Sequence, residues 1–135
     1  INRMNIALLA HEKKKELMVQ FCIAYAGVLS KHNLWSASAL GNLISANTGL
    51  QINKVISGIS GAEDQIAARV SCDEIDVLLF FRDPLTPTTR KNEETGILRL
   101  CDVHNVPVAT NIATAEVIIM ALDRGDLDWI EISRK

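Results

Sequence analysis

Five short apolar runs in this sequence are each followed by polar side chains that could do chemistry. His11, Glu12, Lys13, Lys14 and Lys15 follow NIALLA, and Ser36 and Ser38 close the second run. Ser57, Ser60, Glu63 and Asp64 follow the third, Arg82 and Asp83 lie in DVLLFFRDPL, and Asn111 and Thr114 leave VPVATN. The set offers acidic, basic and hydroxyl groups. Three adjacent lysines are ordinarily a solvated helix start, but cations are unfavourable beside the positive end of a helix dipole, which points to one of them recruiting an anion. Each residue also has an ordinary structural role. His11 can be a hydrogen-bonded loop histidine, Asp83 the opening of a turn before Pro84, and Glu63 with Asp64 the acids that stabilise a helix N-terminus.

The elements that must position these groups follow from the hydrophobic pattern. Residues 77–81 are apolar without a break, as in a parallel strand covered by helices on both faces, and ligands sit beyond the carboxyl ends of such strands. Residues 5–10, 33–36, 52–56 and 106–111 read as the other strands. Helices are expected over residues 13–28, from about Gly41 to Gly49, and over 61–70, 93–104 and 114–124. Leu17, Phe21, Cys22, Val28 and Leu29 make one face of the first. Gly49 and Gly125 suit helix ends, and Thr114 suits an N-cap. Strands separated by helices imply right-handed crossovers and a three-layer α/β/α domain with a five-stranded parallel sheet. The polar sets then share one sheet edge, and a crevice forms where the strand order reverses. That places His11 and Lys15 opposite Asp83 if the first and fourth strands are neighbours.

A chain of 135 residues is expected to form a single domain over residues 4–135, with residues 1–3 as an extended start outside it. The net charge of −2 gives no electrostatic footprint for nucleic acid or an anionic membrane, which excludes both as expected partners. Cys22, Cys72 and Cys101 are odd in number, widely spaced and set among apolar residues, so they read as reduced, buried thiols. There is no Cys/His metal spacing, and no cofactor is expected. No apolar stretch is long enough to span a membrane and no signal-peptide pattern opens the chain, so a cytoplasmic location is expected. Residues 117–122 are apolar on every side, which suits core. His32 and His104 read as surface or satisfied residues.

The segments NIALLAHEKKK, LGNLISANTGL, the Ser57-Gly58 pair, IDVLLFFRDPL and LRLCDVHNVPVATNIATAEVIIMALDRGDLDW together resemble methylglyoxal synthase over nearly the whole chain. The resemblance implies a sheet in the order 3-2-1-4-5, a cytoplasmic homohexamer, and conversion of dihydroxyacetone phosphate to methylglyoxal and inorganic phosphate. It also implies roles for individual residues. His11 and Lys15 match positions that hold the substrate phosphate, Ser57 and Gly58 match a second contact to it, and Asp83 matches an active-site aspartate.

The chain departs from the family pattern at several positions. Ala37, Ser38, Ala39 and Leu40 stand where the family reads Thr-Gly-Thr-Thr, so three hydroxyls are lost and one is regained at Ser38, which is expected to contact the phosphate. The family's basic aspartate becomes Glu63, with Asp64 as a stand-in, its histidine becomes Arg90, and Glu12 replaces an aspartate. A net loss of two hydrogen bonds to a charged group, about 1.5–3 kcal/mol each, would weaken phosphate binding by roughly two to four orders of magnitude. The extra methylene of Glu63 displaces a base by about 1 Å, and Arg90 cannot shuttle a proton near neutral pH. Two functions follow from the resemblance: a methylglyoxal synthase with impaired chemistry, or a non-catalytic or redirected paralogue that binds a phosphorylated metabolite or inorganic phosphate in a regulatory role.

Overall fold

The computed structural model describes residues 3–55, 61–85 and 91–130, with side chains in the last segment from Gly96 onward. Strand β1 (Asn5–Ala10) leads through a 3-10 turn (Glu12–Lys14) into α1 (Lys15–Ala24) and the short α2 (Ala26–Leu29). Then come β2 (Asn33–Ala37), α3 (Ser38–Thr48), β3 (Ile52–Val55), α4 (Gly61–Ser71), β4 (Val77–Phe81), α5 (Lys91–Val103), β5 (Val108–Ala109) and α6 (Ile112–Asp123). All strand pairs are parallel and the sheet order is β3-β2-β1-β4-β5, as the resemblance implies.

Alternation along the strands divides the core between the two faces of the sheet. Ile6, Leu8, Leu34, Val77, Leu79 and Phe81 pack with α1, α3 and α6 through residues such as Phe21, Ile44 and Ile119. Ala7, Leu9, Val55, Leu78 and Phe80 pack on the other face with Ile66 and Val70 of α4 and Ile97 and Cys101 of α5. Every residue of β4 is buried, because this strand is covered on both faces.

Several boundaries differ from the pattern-based expectation, each for a local reason. The first helix breaks at Tyr25 (φ −112°, ψ 22°), although its apolar face runs on through the Phe21 and Tyr25 rings, 4.9 Å apart. Hydrophobic periodicity does not register a one-residue break. Helix α3 begins at Ser38, ahead of Gly41. An added Cβ on Gly41 would lie 3.1 Å from Ile52 Cγ2 and 3.2 Å from Lys54 Cγ, so this glycine lets α3 lie close against β3. Gly49 ends α3 in the left-handed region (φ 75°). Strand β5 is only two residues long. Pro107 has no N–H to donate, although its carbonyl accepts from Leu78 N at 3.0 Å, and Val106 N is committed to Cys101 O at 2.8 Å. The N-cap of α6 is Asn111, whose Oδ1 accepts from Thr114 N at 3.0 Å, so Thr114 lies inside the helix it was expected to cap.

Three burial expectations are also corrected. Cys22 and Cys101 are buried, and burial pushes both thiols up to about 12, but Cys72 is exposed in the turn after α4. In α6, Ile119 and Leu122 are core, whereas Val117 (69% exposed) and Met120 (48%) face outward, so residues 117–122 are not uniformly internal. His32 is buried rather than superficial. Its Nδ1 accepts from Met4 N at 3.0 Å, while Nε2 has no partner among the described residues. His104 is satisfied by Asp73, with Nδ1 to Oδ1 at 3.1 Å. No helix among the described residues is long and apolar enough to cross a membrane.

Candidate active site

The strand order reverses between β1 and β4, and the carboxyl ends of these two strands are joined by hydrogen bonds. His11 N donates to Phe81 O at 3.0 Å, and Asp83 N donates to His11 Nδ1 at 2.7 Å. A ring that accepts at Nδ1 and is neutral carries its proton on Nε2, so the imidazole presents a donor on its far side. Phe80 packs edge-to-face on the same ring, with centroids 5.4 Å apart at 88°. Two neighbours on β4 and its exit loop therefore fix the orientation of His11. Sequence reasoning paired His11 with Asp83 but missed Phe80. The available signal was an aromatic residue one place before the end of the strand that carries the site.

Asp83 serves this arrangement through its backbone. Its carboxylate Oδ1 accepts from Leu85 N at 3.1 Å, which is the turn role the sequence also allowed. Arg82 N donates to Thr110 O at 3.2 Å, tying the ends of β4 and β5 together. Lys15, the first residue of α1, has Nζ 2.8 Å from the Glu12 carboxylate, whose side chain is 85% exposed. Such a solvated pair contributes at most about 1 kcal/mol, so an arriving anion can readily replace Glu12.

On the other side of β1, Ser38 opens α3 directly after β2. Its hydroxyl donates to Val55 O at 3.3 Å and bridges the ends of β2 and β3. The N-cap position is Ala37, which makes no side-chain cap, so acceptors for the first-turn N–H groups of this 11-residue helix do not come from the cap side chain. Glu63 lies in the first turn of α4, after Gly61 at φ 83°. It is half-buried where its neighbour Asp64 is exposed, which makes Glu63 the better placed of the two carboxylates. His11, Lys15, Ser38, Glu63 and Asp83 thus follow the carboxyl ends of β1, β2, β3 and β4 along one edge. The expected contacts Ser57 and Gly58, and Arg90 at the position of the family's histidine, lie outside the described residues.

No family model matches the chain. It is 54% identical over 129 residues to the methylglyoxal synthase of Caldicellulosiruptor saccharolyticus, covering 96% of this chain and 92% of that protein. It is 50% identical over 132 residues to the methylglyoxal synthase of Oceanobacillus iheyensis, covering 98% and 94%. The crystal structure of methylglyoxal synthase from Elizabethkingia anophelis superposes with a TM-score of 0.76 at 34% identity, covering 87% of this chain and 77% of that one.

Proposed function

The chain belongs to the methylglyoxal synthase family, and from that premise we propose that it binds dihydroxyacetone phosphate at the crevice between β1 and β4 and converts it, slowly, to methylglyoxal and inorganic phosphate. The observation that carries the reading is the Asp83 N to His11 Nδ1 hydrogen bond at 2.7 Å, which fixes a donor at the switch point of the sheet. In this mechanism Glu63 removes a carbon-bound proton from the substrate. Hydrogen-bond donors hold the enediolate oxygens, the C–O bond to phosphate breaks as the electron pair leaves with the phosphate, and the enol aldehyde that remains becomes methylglyoxal by taking a proton at its methylene carbon and losing its enol proton. His11 and Lys15 receive the phosphate, with Ser38 and the first turn of α3 as further donors. Ser57 and Gly58 contribute contacts, Arg90 supplies a fixed positive charge, and Asp83 positions His11.

Slow turnover is proposed because Glu63 and Arg90 stand where the family carries a shorter base and a proton-transferring histidine. The competing reading, a phosphate-binding regulatory protein without chemistry, draws support from the Asp83 carboxylate, whose Oδ1 is engaged by its own turn. A methylglyoxal-release assay on the purified protein with dihydroxyacetone phosphate separates the two, beside a Glu63→Ala control. Release that Glu63→Ala abolishes supports the enzyme. No release, with retained phosphate binding, supports the alternative. Turnover on the order of 10 per second or more would overturn the proposed impairment. Paired Glu63→Asp and Arg90→His changes should raise the saturated rate, whereas Ala37→Thr, Ala39→Thr and Leu40→Thr should act mainly on KM. We also propose a cytoplasmic homohexamer whose contacts include the outward face of α6.

A further inference from the structure

Phe80 is fully buried one residue before the end of β4 and lies beside Leu9 of β1 in the parallel register. Alternation along β4 turns its side chain toward α4 and α5, into the apolar layer that also holds Leu9, Ala62, Ile66 and Ile97. Phe81 turns to the opposite layer and packs edge-to-face on Phe21 of α1, with centroids 5.7 Å apart at 77°. Two groups proposed to work on the substrate therefore meet the Phe80 layer from different sides. The imidazole of His11 rests on the Phe80 ring itself, 5.4 Å between centroids at 88°. Glu63 stands on α4 between Ala62 and the fully buried Ile66, through which the start of that helix enters the same layer. A close-packed interior passes a change in one large ring on to its neighbours, so Phe80 is a common support for the imidazole and for the helix that carries the carboxylate.

From this arrangement we infer that Phe80 is a positioning residue: its ring seats the His11 imidazole so that Nδ1 meets the Asp83 N–H, and it sets the spacing between that imidazole and the start of α4. The kinetic consequence rests on the proposed reaction, whereas the seating of the imidazole is measurable without turnover. The hydrogen bond from Asp83 N anchors one ring atom and leaves the tilt of the ring about it open. The edge-to-face contact removes that freedom, which gives Nε2–H a single direction. An aliphatic side chain at position 80 fills much of the layer but offers the imidazole no ring to pack on. The imidazole then gains freedom, and the layer collapses only partly into the vacated volume. A misplacement of about 1 Å in a reacting group costs on the order of 100-fold in rate.

The test compares Phe80→Leu and the unbranched Phe80→Met with the parent and with Leu78→Val, a truncation on the same strand and the same face, two residues farther from the crevice. Leu78→Val measures what loosening this layer does by itself, thermal scans establish that each variant folds, and Phe80→Met carries the test if Phe80→Leu does not fold. Nitrogen NMR of the imidazoles in the full chain reads the tautomer of His11, and solvent exchange of the Asp83 N–H reads the 2.7 Å bond. Methylglyoxal release is measured on the same four proteins. The expected result is a single Nε2–H tautomer of His11 in the parent and in Leu78→Val, and mixed tautomers with faster Asp83 N–H exchange in both variants at position 80. Their kcat/KM should be lower than that of Leu78→Val by about 10- to 100-fold. The inference is overturned if the position-80 variants keep the parental tautomer and Asp83 N–H protection, if Leu78→Val reproduces their changes, or if an active parent loses no kcat/KM on either substitution. A parent that releases no methylglyoxal would count against the proposed reaction, and the NMR comparison would then decide the seating of His11 by itself.

Discussion

Replacing His11 by asparagine and by alanine separates holding the imidazole in place from donating to a ligand. Asparagine keeps an acceptor near the position of Nδ1, so the 2.7 Å bond from Asp83 N survives, but it lacks Nε2–H and the ring packed on Phe80. Losing the edge-to-face contact costs about 0.5–1.5 kcal/mol. A thermal scan of His11→Asn should then show Tm lower by roughly 2–6 °C for a domain of this size. Alanine also strands the Asp83 N–H, adding about 1–3 kcal/mol. Function should divide differently. If Nε2–H donates to the substrate phosphate or an enediolate oxygen, each variant loses one hydrogen bond to a charged group. The two should therefore fall together, by about 10- to 150-fold in kcat/KM and in affinity for inorganic phosphate. The measurements are methylglyoxal release and phosphate titration by calorimetry, beside thermal scans of both variants. Retention of parental kcat/KM and phosphate affinity by His11→Asn, with loss only in His11→Ala, would refute donation and leave His11 as a loop-holding residue.

Stability should fall as the solution is acidified below pH 6.5, the ordinary histidine value, because burial and the Arg3 charge depress the folded-state pKa of His32. The unfolded chain then binds a proton that the folded chain refuses, so this contribution is complete above 6.5 and is lost as pH falls toward the folded value; denaturant midpoints across that range should show a shallower pH slope in His32→Asn. Gly41→Ala should be destabilising by about 1 kcal/mol net, since crowding against Ile52 outweighs the roughly 1 kcal/mol gain in helix propensity, and a raised Tm would contradict it. Val117→Glu with Met120→Glu should leave the subunit fold within about 0.5 kcal/mol but dissociate the proposed hexamer, as light scattering would detect; an unchanged mass would remove this face from the interface.

The fold was legible because its strongest signal, the unbroken apolar run of β4, admits few arrangements once strands alternate with helices. The register that places Ala10 beside Phe81 then brings the segments after them together without further information. Boundaries were less legible where a single hydrogen-bonding group decides them. Asn111 and Thr114 are both competent caps, and only the approach of Asn111 Oδ1 to Thr114 N distinguishes them. The exposure of Cys72, Val117 and Met120 depends on which turn or helix face meets the sheet, and an all-apolar or short segment carries no periodicity to say so. At the site, pairing of His11 with Asp83 was predictable from topology, but the division of labour within Asp83 was not. Its N–H orients the imidazole while its carboxylate closes the turn, and a one-letter sequence records neither.

That division bears on which defect should dominate in a slow enzyme. Several groups proposed to hold phosphate are backbone N–H groups or act through backbone: the first turn of α3 behind Ala37, and His11 oriented by Asp83 N. Backbone donors do not depend on the side chains at 37, 39 and 40, and Lys15 lies at the same edge. Phosphate binding should therefore fall by less than the two to four orders of magnitude that counting lost hydroxyls gives. The proton-transfer groups have no such reserve, because a carboxylate moved by about 1 Å and a guanidinium that stays charged change the chemical step itself. A low saturated rate with a KM near that of the family is the kinetic form this predicts. A normal saturated rate with a greatly raised KM would place the defect in the cradle instead.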